Sequence, residues 1–453
     1  MRVLLVSVNR ETAPYPVAPL GISYVAAAAR DQGHEVRVLD LCFSENVRED
    51  VARAVSGFSP RLVGISIRNV DNLVWPASVS YVGEIEAAVA AIRSASRAPV
   101  VAGGPGFSLY PEVLLARLSL EYGVVGEGEG PFCALARCLE DGKHPAAVPN
   151  LVRRGEAARF AAAKEVGPLP GTAPARDLLD NSRYLDLGGM ANLQTKRGCP
   201  FRCVYCTYPA INGSAVRLRA PADVADELSE LVVHGAGHVF FVDDIFNWPH
   251  DHALGICDEI AARGIDPAWT CFATPAGMTP RLARAMKRAG CRGVEFGTDS
   301  GSSAMLRALG KPFGRDDIRA ASLACREAGL PDAHYLIFGG PGETPETMGE
   351  TFSFFDDLKP RAMLALLGVR IYPGTPLRAM ALSEGSIREG DDLLDPRFYV
   401  SPAIGPERLQ SAVAAHAKAR AGWVVPGLGI RCDPLLLSAL RRMGHRGPLW
   451  NIL

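Results

Sequence analysis

Three cysteines within one short loop are the side chains of this sequence best suited to chemistry. Cys199, Cys203 and Cys206 occur in the stretch KRGCPFRCVYC, with the spacing Cys-x3-Cys-x2-Cys. Structural zinc takes four ligands and closes its shell, and an iron–sulfur cluster normally uses four thiolates. Three thiolates therefore indicate a four-iron cluster with one iron left open for another ligand. The alternatives are a zinc knuckle with a distant fourth ligand and cysteines that only pack in a core.

The rest of the composition excludes several classes of protein. The other cysteines of the eleven are scattered through apolar segments, where cysteine behaves as a small buried side chain. The formal net charge of −1 gives no global basic field for nucleic acid. No apolar run approaches the roughly 18–20 residues of a membrane span, and the first residues lack a signal-peptide cleavage site. We expect a cytoplasmic protein with no membrane or nucleic-acid partner.

The alternation of short apolar runs with helical periodicity predicts an α/β protein with two main units. Residues 1–140 read as a doubly wound, Rossmann-like domain, with strands such as RVLLVSV and PVVAGGPG. Residues 141–189 are rich in Pro, Gly and Ala and read as a linker. Residues 190–385 give six strands separated by helices, which predicts a parallel partial (β/α)6 barrel. Residues 386–453 read as a small helical C-terminal region.

The cysteine loop has a defined place in this architecture. It follows LQTKRG, the first predicted strand of the barrel. In barrels of parallel strands the chemistry takes place at the carboxyl ends of the strands. The cysteine loop and the segments that follow the other strands should therefore meet at one edge.

The motif CPFRCVYC resembles the CxxxCxxC signature of the radical S-adenosylmethionine (SAM) superfamily. The resemblance implies that Cys199, Cys203 and Cys206 hold a [4Fe–4S] cluster whose open iron binds the amino and carboxylate groups of SAM. It also implies that reduction of the cluster cleaves SAM to a 5′-deoxyadenosyl radical, which abstracts a hydrogen atom from the substrate. An electron donor similar to flavodoxin or ferredoxin would then be a partner.

The resemblance also implies which side chains contact SAM. An acidic pair after strand two suits the ammonium group, an arginine after strand six suits the carboxylate, and paired glycines allow close approach to adenine. The tyrosine before the last cysteine would lie against adenine. The SAM-binding residues so implied are Tyr205, Asp243, Asp244, Glu295, Ser300, Gly339, Gly340 and Arg370.

The first domain resembles the cobalamin-binding domain that precedes many radical SAM barrels. The relevant segments are APLGISYVAAAARDQGHEVRVLDL, VVAGGPGFSLYPE and VVGEGEGPF. The Asp-x-His-x-x-Gly motif that supplies a cobalt ligand is absent, since His34 is the only histidine before residue 140. Bulky polar loops, RNVDNLVWP and the segment from Arg10 to Pro16, could fill the space of the corrin ring. We therefore expect a domain that does not hold cobalamin.

Within the superfamily the chain resembles the radical SAM diol dehydratases of aminoglycoside biosynthesis, such as the enzyme of the apramycin pathway that acts on paromamine. The resemblance implies dehydration of a 1,2-diol, after which a separate NADPH enzyme could reduce the product. Glu343 and Asp244 are the predicted acid–base residues. A polycationic amino sugar also needs carboxylates around it. The predicted substrate-binding residues are Glu11, Asp71 and Glu127.

Three other functions remain open at this point. The first is a cobalamin-dependent radical SAM C-methyltransferase, which would bind cobalamin and give a methylated product. The second is a non-catalytic metal-binding or regulatory module, which the polar groups at several strand ends argue against. The third is a nucleic-acid modifier, for which the basic tail around Arg441 and Arg446 is short.

Overall fold

The computed structural model describes residues 1–145, 148–158, 167–169 and 173–452. Its first sheet has six strands in the order β2-β1-β3-β4-β5-β6, parallel except for the β5–β6 pair. Near-continuous apolar runs such as VLLVS form its buried strands, as expected for a parallel sheet covered on both faces. The elements are β1 Arg2–Ser7, α1 Leu20–Asp31, β2 Glu35–Asp40, α2 Val47–Phe58, β3 Leu62–Ser66, α3 Val82–Ala95, β4 Val100–Gly103, α4 Pro105–Leu109, α5 Pro111–Arg117, β5 Tyr122–Val124, α6 Glu129–Glu140 and β6 Leu151–Arg153.

A short region leads into the second unit. A 3₁₀ turn at Arg176–Leu178 precedes the first strand of the next sheet, and a three-stranded sheet of order β7-β10-β9 flanks the cysteine loop. The elements are β7 Gly167–Pro168, α7 Asn181–Gly188, β8 Ala191–Leu193, β9 Lys196–Arg197, α8 Tyr208–Asn212 and β10 Arg217–Leu218. The predicted linker, 141–189, lies partly outside the described residues.

The second unit is an open barrel of seven parallel strands in the order β8-β11-β12-β13-β14-β15-β18. β16 and β17 form a separate antiparallel pair, and two 3₁₀ turns occupy Pro426–Leu428 and Leu449–Ile452. The elements are α9 Pro221–Val233, β11 Val239–Phe241, α10 His250–Ala262, β12 Trp269–Ala273, α11 Pro280–Arg288, β13 Cys291–Asp299, α12 Ser303–Ala308, α13 Arg315–Glu327, β14 Asp332–Phe338, α14 Pro345–Leu358, β15 Ala362–Leu367, β16 Val369–Arg370, α15 Pro376–Ser383, β17 Phe398–Tyr399, α16 Pro406–Lys418, β18 Trp423–Val424 and α17 Pro434–Arg442.

The predicted fold class is confirmed, and the element boundaries differ in three places. The first barrel strand ends at Leu193, so LQTKRG is divided between β8 and the separate β9. The sixth strand ends at Leu367, because Gly368 takes φ +63° and turns the chain into β16. The C-terminal region also supplies β18, which its two-residue length and lack of a long apolar run concealed.

The two units share one hydrophobic core. Phe107 and Tyr110 of the first domain belong to the same buried cluster as Ile337, Val369 and Tyr399 of the second. The first domain therefore covers the open side of the barrel. Among the described residues, no helix has the length and apolar character needed to cross a membrane.

A buried ion pair crosses this interface. The Arg370 guanidinium donates from Nε to Asp71 Oδ2 at 2.9 Å and from Nη2 to the Tyr110 hydroxyl at 3.1 Å. It also donates to the carbonyl oxygens of Ile371 and Leu393. The side chains of Arg370 and Asp71 are 5% and 0% exposed. Such a pair is expensive to break, because either partner alone would be a buried charge without compensation.

We predict that Arg370→Leu lowers the free energy of unfolding by about 3–5 kcal/mol, because Asp71 is left buried and unpaired. Urea denaturation of the purified protein measures the loss. The double variant Arg370→Leu/Asp71→Asn should recover part of it, since no charge then remains. If the loss of unfolding free energy in the double variant equalled the sum of the losses in the two single variants, Arg370 and Asp71 would not be energetically coupled.

Candidate functional site

The cysteine loop joins β9 to α8 at the carboxyl-end edge of the barrel. Cys199 is buried, and Cys203 and Cys206 are half-buried. Gly198 begins the loop with φ +96°, and a Cβ there would collide with the carbonyl oxygen of Ala215. Only glycine allows the chain to enter the loop in this way.

The three thiols lie close enough together to act on one another's pKa. Burial is the main reason that the pKa of Cys199 is raised to about 11 and that of Cys206 to about 12, and the neighbouring thiols contribute to both values. Bound iron removes this penalty by stabilising the thiolates. Among the residues described, no three His, Cys, Asp or Glu side chains converge on a single metal ion. A cube places each thiolate on a different iron atom, so its ligands need no such convergence.

A second group of charges lies beside the thiols. Lys311 Nζ donates to Asp299 Oδ2 at 2.8 Å, and both side chains are at most 6% exposed. The Tyr205 hydroxyl donates to the same carboxylate oxygen at 2.6 Å. Burial raises the pKa of the Cys203 thiol, and the Lys311 ammonium acts in the opposite direction. Tyr205 is thus fixed at the end of β13, next to the cysteines.

The acidic pair after β11 divides into two roles. Asp243 is 1% exposed and accepts hydrogen bonds from Thr195 N, Thr195 Oγ1 and Lys196 N, so it fastens the β8–β9 turn to the end of β11. Within the described ranges, the donor to Asp244 is Asn212 Nδ2 alone, at 3.0 and 3.2 Å. Burial raises the pKa of Asp244 to about 7. Its charge in turn raises the pKa of Cys199, so Asp244 faces the cysteine loop.

The residues after β13 and β14 are mostly engaged with their own chain. Ser300 Oγ pairs with Thr351 Oγ1 at 2.9 Å and is 1% exposed. Gly339 has φ +92°, and a Cβ there would lie 2.7 Å from Leu409. Gly340 N donates to Glu343 Oε2 at 3.3 Å, and so does Gly339 N at a shorter distance. Glu343 therefore shapes the glycine turn from a buried position, and burial raises its pKa to about 7.

Glu295 lies deeper than the edge where the cysteines are. Glu295 comes four residues before Asp299 on β13, which corresponds to about 13 Å along an extended strand. Its Oε1 accepts from Trp450 Nε1 at 2.7 Å and its Oε2 from the Tyr335 hydroxyl at 2.9 Å. Burial raises its pKa to about 7. The structure thus places Glu295 inside the barrel, away from the edge at which it was predicted to contact SAM.

The three carboxylates predicted to bind substrate are each held by protein donors. Glu11 accepts from the Tyr81 hydroxyl, and Asp71 accepts from Arg370, so the guanidinium predicted to bind the SAM carboxylate is itself engaged by the chain. Glu127 accepts from Arg217 and forms an ion pair with Arg197. Burial acts to raise the pKa of Glu127, but the two arginines lower it overall.

The carboxyl-end edge of the first sheet is built from backbone and one buried cation. Gly104 has φ +96°, and a Cβ there would lie 2.7 Å from Ile67 O, so the loop after β4 packs against the end of β3. A Cβ on Gly106 would lie 3.1 Å from Arg68 O. Arg68 Nη1 is buried and has no hydrogen-bond partner among the described residues. This donor fits a ligand with many carbonyl groups, such as the amide-bearing corrin ring of cobalamin.

The comparisons with known proteins agree with this architecture. The B12 binding domain family matches residues 6–136, and the radical SAM superfamily matches residues 193–355. The chain therefore consists of an N-terminal B12-binding, Rossmann-like domain followed by a radical SAM domain.

Individual relatives extend the likeness to the whole chain. The tryptophan 2-C-methyltransferase of Streptomyces laurentii is 28% identical over 425 residues, covering 79% of this chain and 71% of the relative. The radical SAM methyltransferase TsrM of Kitasatospora setae, with cobalamin and a [4Fe–4S] cluster bound, superposes with a TM-score of 0.87 at 26% identity, covering 99% of this chain and 96% of TsrM. Its complex with tryptophan and the SAM analogue aza-SAM gives a TM-score of 0.88 at 27% identity, over 99% of this chain and 97% of that one.

Two predictions are wrong in the light of these findings. Dehydration of an aminoglycoside diol is not supported, because the similar proteins described above are methyltransferases. In addition, Asp71 and Glu127 are already paired with arginines, and Glu11 accepts a hydrogen bond from Tyr81. The expectation that cobalamin is not held fails because the B12 family matches residues 6–136 and the similar structure contains cobalamin. Side chains of the bulky loops bind to neighbouring parts of the chain: Arg10, for example, donates a hydrogen bond to Ser44 O.

Sequence reasoning overlooked several residues of the site. Lys311 lies 105 residues beyond Cys206, and nothing in LGKPF signals a contact with Asp299. Asn212 and Arg68 likewise act through tertiary contacts. Arg68 had one signal, its position directly after a buried strand at the ligand-binding edge of the sheet.

We predict that Cys203→Ala abolishes stable binding of the cluster, because two thiolates cannot retain a cube. Iron and sulfide per chain, measured after anaerobic reconstitution, test this. Cys432→Ala is the matched control, since Cys432 is half-buried and its thiol contacts the carbonyl oxygens of Val425 and Pro426 in the C-terminal region. Equal iron content in the two variants would contradict the assignment.

We predict that Glu295 makes stability fall as pH rises. The native pKa is about 7 and the unfolded value is 4.5, so between these values the unfolded chain releases a proton that the folded chain keeps. The contribution is about 3 kcal/mol, lost between roughly pH 4.5 and 7. Unfolding of Glu295→Gln and the wild-type protein at pH 5 and 8 measures it. A difference between the two proteins that does not change with pH would contradict the prediction.

Proposed function

We propose that this chain is a cobalamin-dependent radical SAM methyltransferase that methylates a small organic molecule. The observation that carries the proposal is the whole-chain likeness to TsrM, with a TM-score of 0.87 over 99% of this chain. The likeness spans both domains and their arrangement, so it includes the interface where the two carboxyl-end edges meet. For each methyl group delivered, SAM would become S-adenosylhomocysteine and the acceptor carbon would lose a proton.

The proposed ligand sets use residues of this chain. Cys199, Cys203 and Cys206 would hold the cluster, and the edge around Gly104 and Arg68 would hold cobalamin. When bound, the cluster supplies an iron that chelates SAM and cobalamin supplies a cobalt that carries a methyl group. The protein itself orients these groups and excludes water from the interface, which is lined by buried side chains from both domains.

Asp244 is the residue we assign to the SAM ammonium group. It faces the cysteine loop and has one protein donor, whereas Asp243 is saturated by three. An ammonium group beside a buried carboxylate forms a charge-assisted hydrogen bond. The same ammonium would lower the raised pKa of Asp244 and keep it ionised. Because a cluster on free thiolates is favoured in a reducing compartment, we also propose a cytoplasmic location.

The function is tested with the anaerobically reconstituted protein, cobalamin and SAM that carries a CD₃ group. L-Tryptophan is the first acceptor to use, because similar proteins act on it. We expect S-adenosylhomocysteine and a product heavier by the labelled methyl group, detected by mass spectrometry. A protein that binds no cobalt, or that releases only 5′-deoxyadenosine with every acceptor, would overturn the proposal.

We predict that Asp244→Asn raises the KM for SAM by about 10- to 100-fold, the value of one charged hydrogen bond. Iron content should be unchanged, since Asp244 is not a cluster ligand. Asp251→Asn is the control, because the Asp251 side chain is 100% exposed on α10. An unaltered KM in Asp244→Asn would remove this residue from the SAM site.

A further inference from the structure

An open chamber lies inside the barrel. Along β12, β14 and β15, the inward-facing residues Phe272, Tyr335, Leu364 and Leu366 are partly accessible while most of their outward-facing neighbours are buried. Adjacent residues of a strand point to opposite faces, so this pattern shows free space on the inner face. On β13 a Cβ at Gly297 would meet no atom within 4 Å. The chamber is therefore open at the level of Gly297, directly below Asp299.

The bottom of this chamber is closed by the C-terminal segment. The indole of Trp450, 5% exposed, packs against Ala333, Ala362 and Leu364 on the inner face of β14 and β15. A Cβ on Gly293 would lie 2.6 Å from Trp450 Cη2. Three consecutive strands thus carry small residues where the indole lies, and together these residues form its socket.

Hydrogen bonds fix the orientation of the indole and of the chain around it. Trp450 Nε1 donates to Glu295 Oε1 at 2.7 Å, and Tyr335 donates to the other oxygen, Oε2, at 2.9 Å. Arg361 Nη2 donates to Asn451 O at 3.0 Å. A Cβ at Gly447 would lie 2.8 Å from the His238 ring, so the segment before the indole is closely packed as well. Trp450 is therefore packed and hydrogen-bonded as an integral part of the barrel interior.

The chamber walls select for an aromatic or apolar guest. Phe272 lies 4.9 Å from Phe240 and 5.8 Å from Tyr335, centroid to centroid, so one side is aromatic. Leu364 and Leu366 of β15, the strand beside Tyr335, add an aliphatic part to the wall. Both oxygens of Glu295 already accept hydrogen bonds from the chain, so a charged group of the guest would find no free carboxylate oxygen at the depth of Glu295 and would be unfavourable there.

We propose that Trp450 is a specificity-determining residue: its indole is the floor of the acceptor chamber and restricts the methyl acceptor to a compact aromatic or apolar molecule. This inference rests on the proposed function, because it places the acceptor between the SAM-binding edge at Asp299 and the indole. The segment that ends the chain would then set the depth of the site.

The test uses the reconstituted holoprotein with L-tryptophan and two elongated analogues that carry a phenyl ring at indole position 5 or 6. In Trp450→Ala we expect kcat/KM of at least one elongated analogue, relative to L-tryptophan, to rise at least tenfold. Free indole at millimolar concentration should return this ratio towards the wild-type value, because indole can occupy the vacated socket and donate to Glu295. An unchanged ratio in Trp450→Ala overturns the proposal.

Two further variants separate a floor from a general loss of structure. Trp423→Ala removes an equally buried indole that packs against Phe338 and Phe352 outside the chamber, and the acceptor ratio should stay at the wild-type value. Trp450→Phe keeps part of the floor and should give an intermediate ratio. Equal shifts in Trp423→Ala and Trp450→Ala would overturn the proposal, because a packing loss anywhere would then explain them.

Direct binding distinguishes failure of this inference from failure of the proposed function. Calorimetry on the holoprotein gives the affinities of the three amino acids without turnover. An affinity ratio that shifts in Trp450→Ala supports the floor even if no methyl transfer is found, in which case only the function is overturned. An affinity ratio that does not shift overturns the floor, whether or not methyl groups are transferred.

Discussion

The open side of the barrel is the constraint on which the rest of the structure depends. Seven parallel strands do not close on themselves, so their inner face and mouth would meet water if nothing covered them. The first domain covers them and shares a continuous core with the second, in which Phe107 and Tyr110 pack with Ile337 and Tyr399. Neither unit buries all of its apolar surface alone, and the proposed chemistry would take place in the space that both enclose.

The charges at this interface follow from the same constraint. A side chain that crosses between two domains loses its hydration, so it needs a partner of opposite charge on the other side. Arg370 and Asp71 meet in this way, and Arg197 and Arg217 meet Glu127. These carboxylates hold the domains in register. Two groups with few protein partners, Asp244 and Arg68, lie at the two edges where ligands are expected.

The sequence allowed the architecture to be predicted because both signals are local. Strand and helix periods alternate along the chain, and Cys-x3-Cys-x2-Cys specifies its own loop. The positions of Glu295 and Arg370 could not be predicted in the same way. Both residues were predicted to lie where a barrel strand ends. For Arg370 the prediction placed the end of the sixth strand too late, because the chain already turns at Gly368. For Glu295 it placed the end of the strand too early, because β13 continues to Asp299. Partners that are distant in the sequence, such as Trp450 for Glu295, then determine which hydrogen bonds each side chain makes.

The misjudged cofactor has a related physical cause. The sequence of a loop rich in Arg, Asn, Asp and Trp gives the volume of its side chains but not their directions, so the loop was predicted to fill the ligand space. In the folded chain Asp71 points to Arg370, and Trp75 forms a bridge with Leu367 of β15. The bulk therefore lies against the barrel, while glycines leave backbone at the edge itself. Bulky loop residues thus indicate an occupied ligand space only when no neighbouring domain is present to receive them.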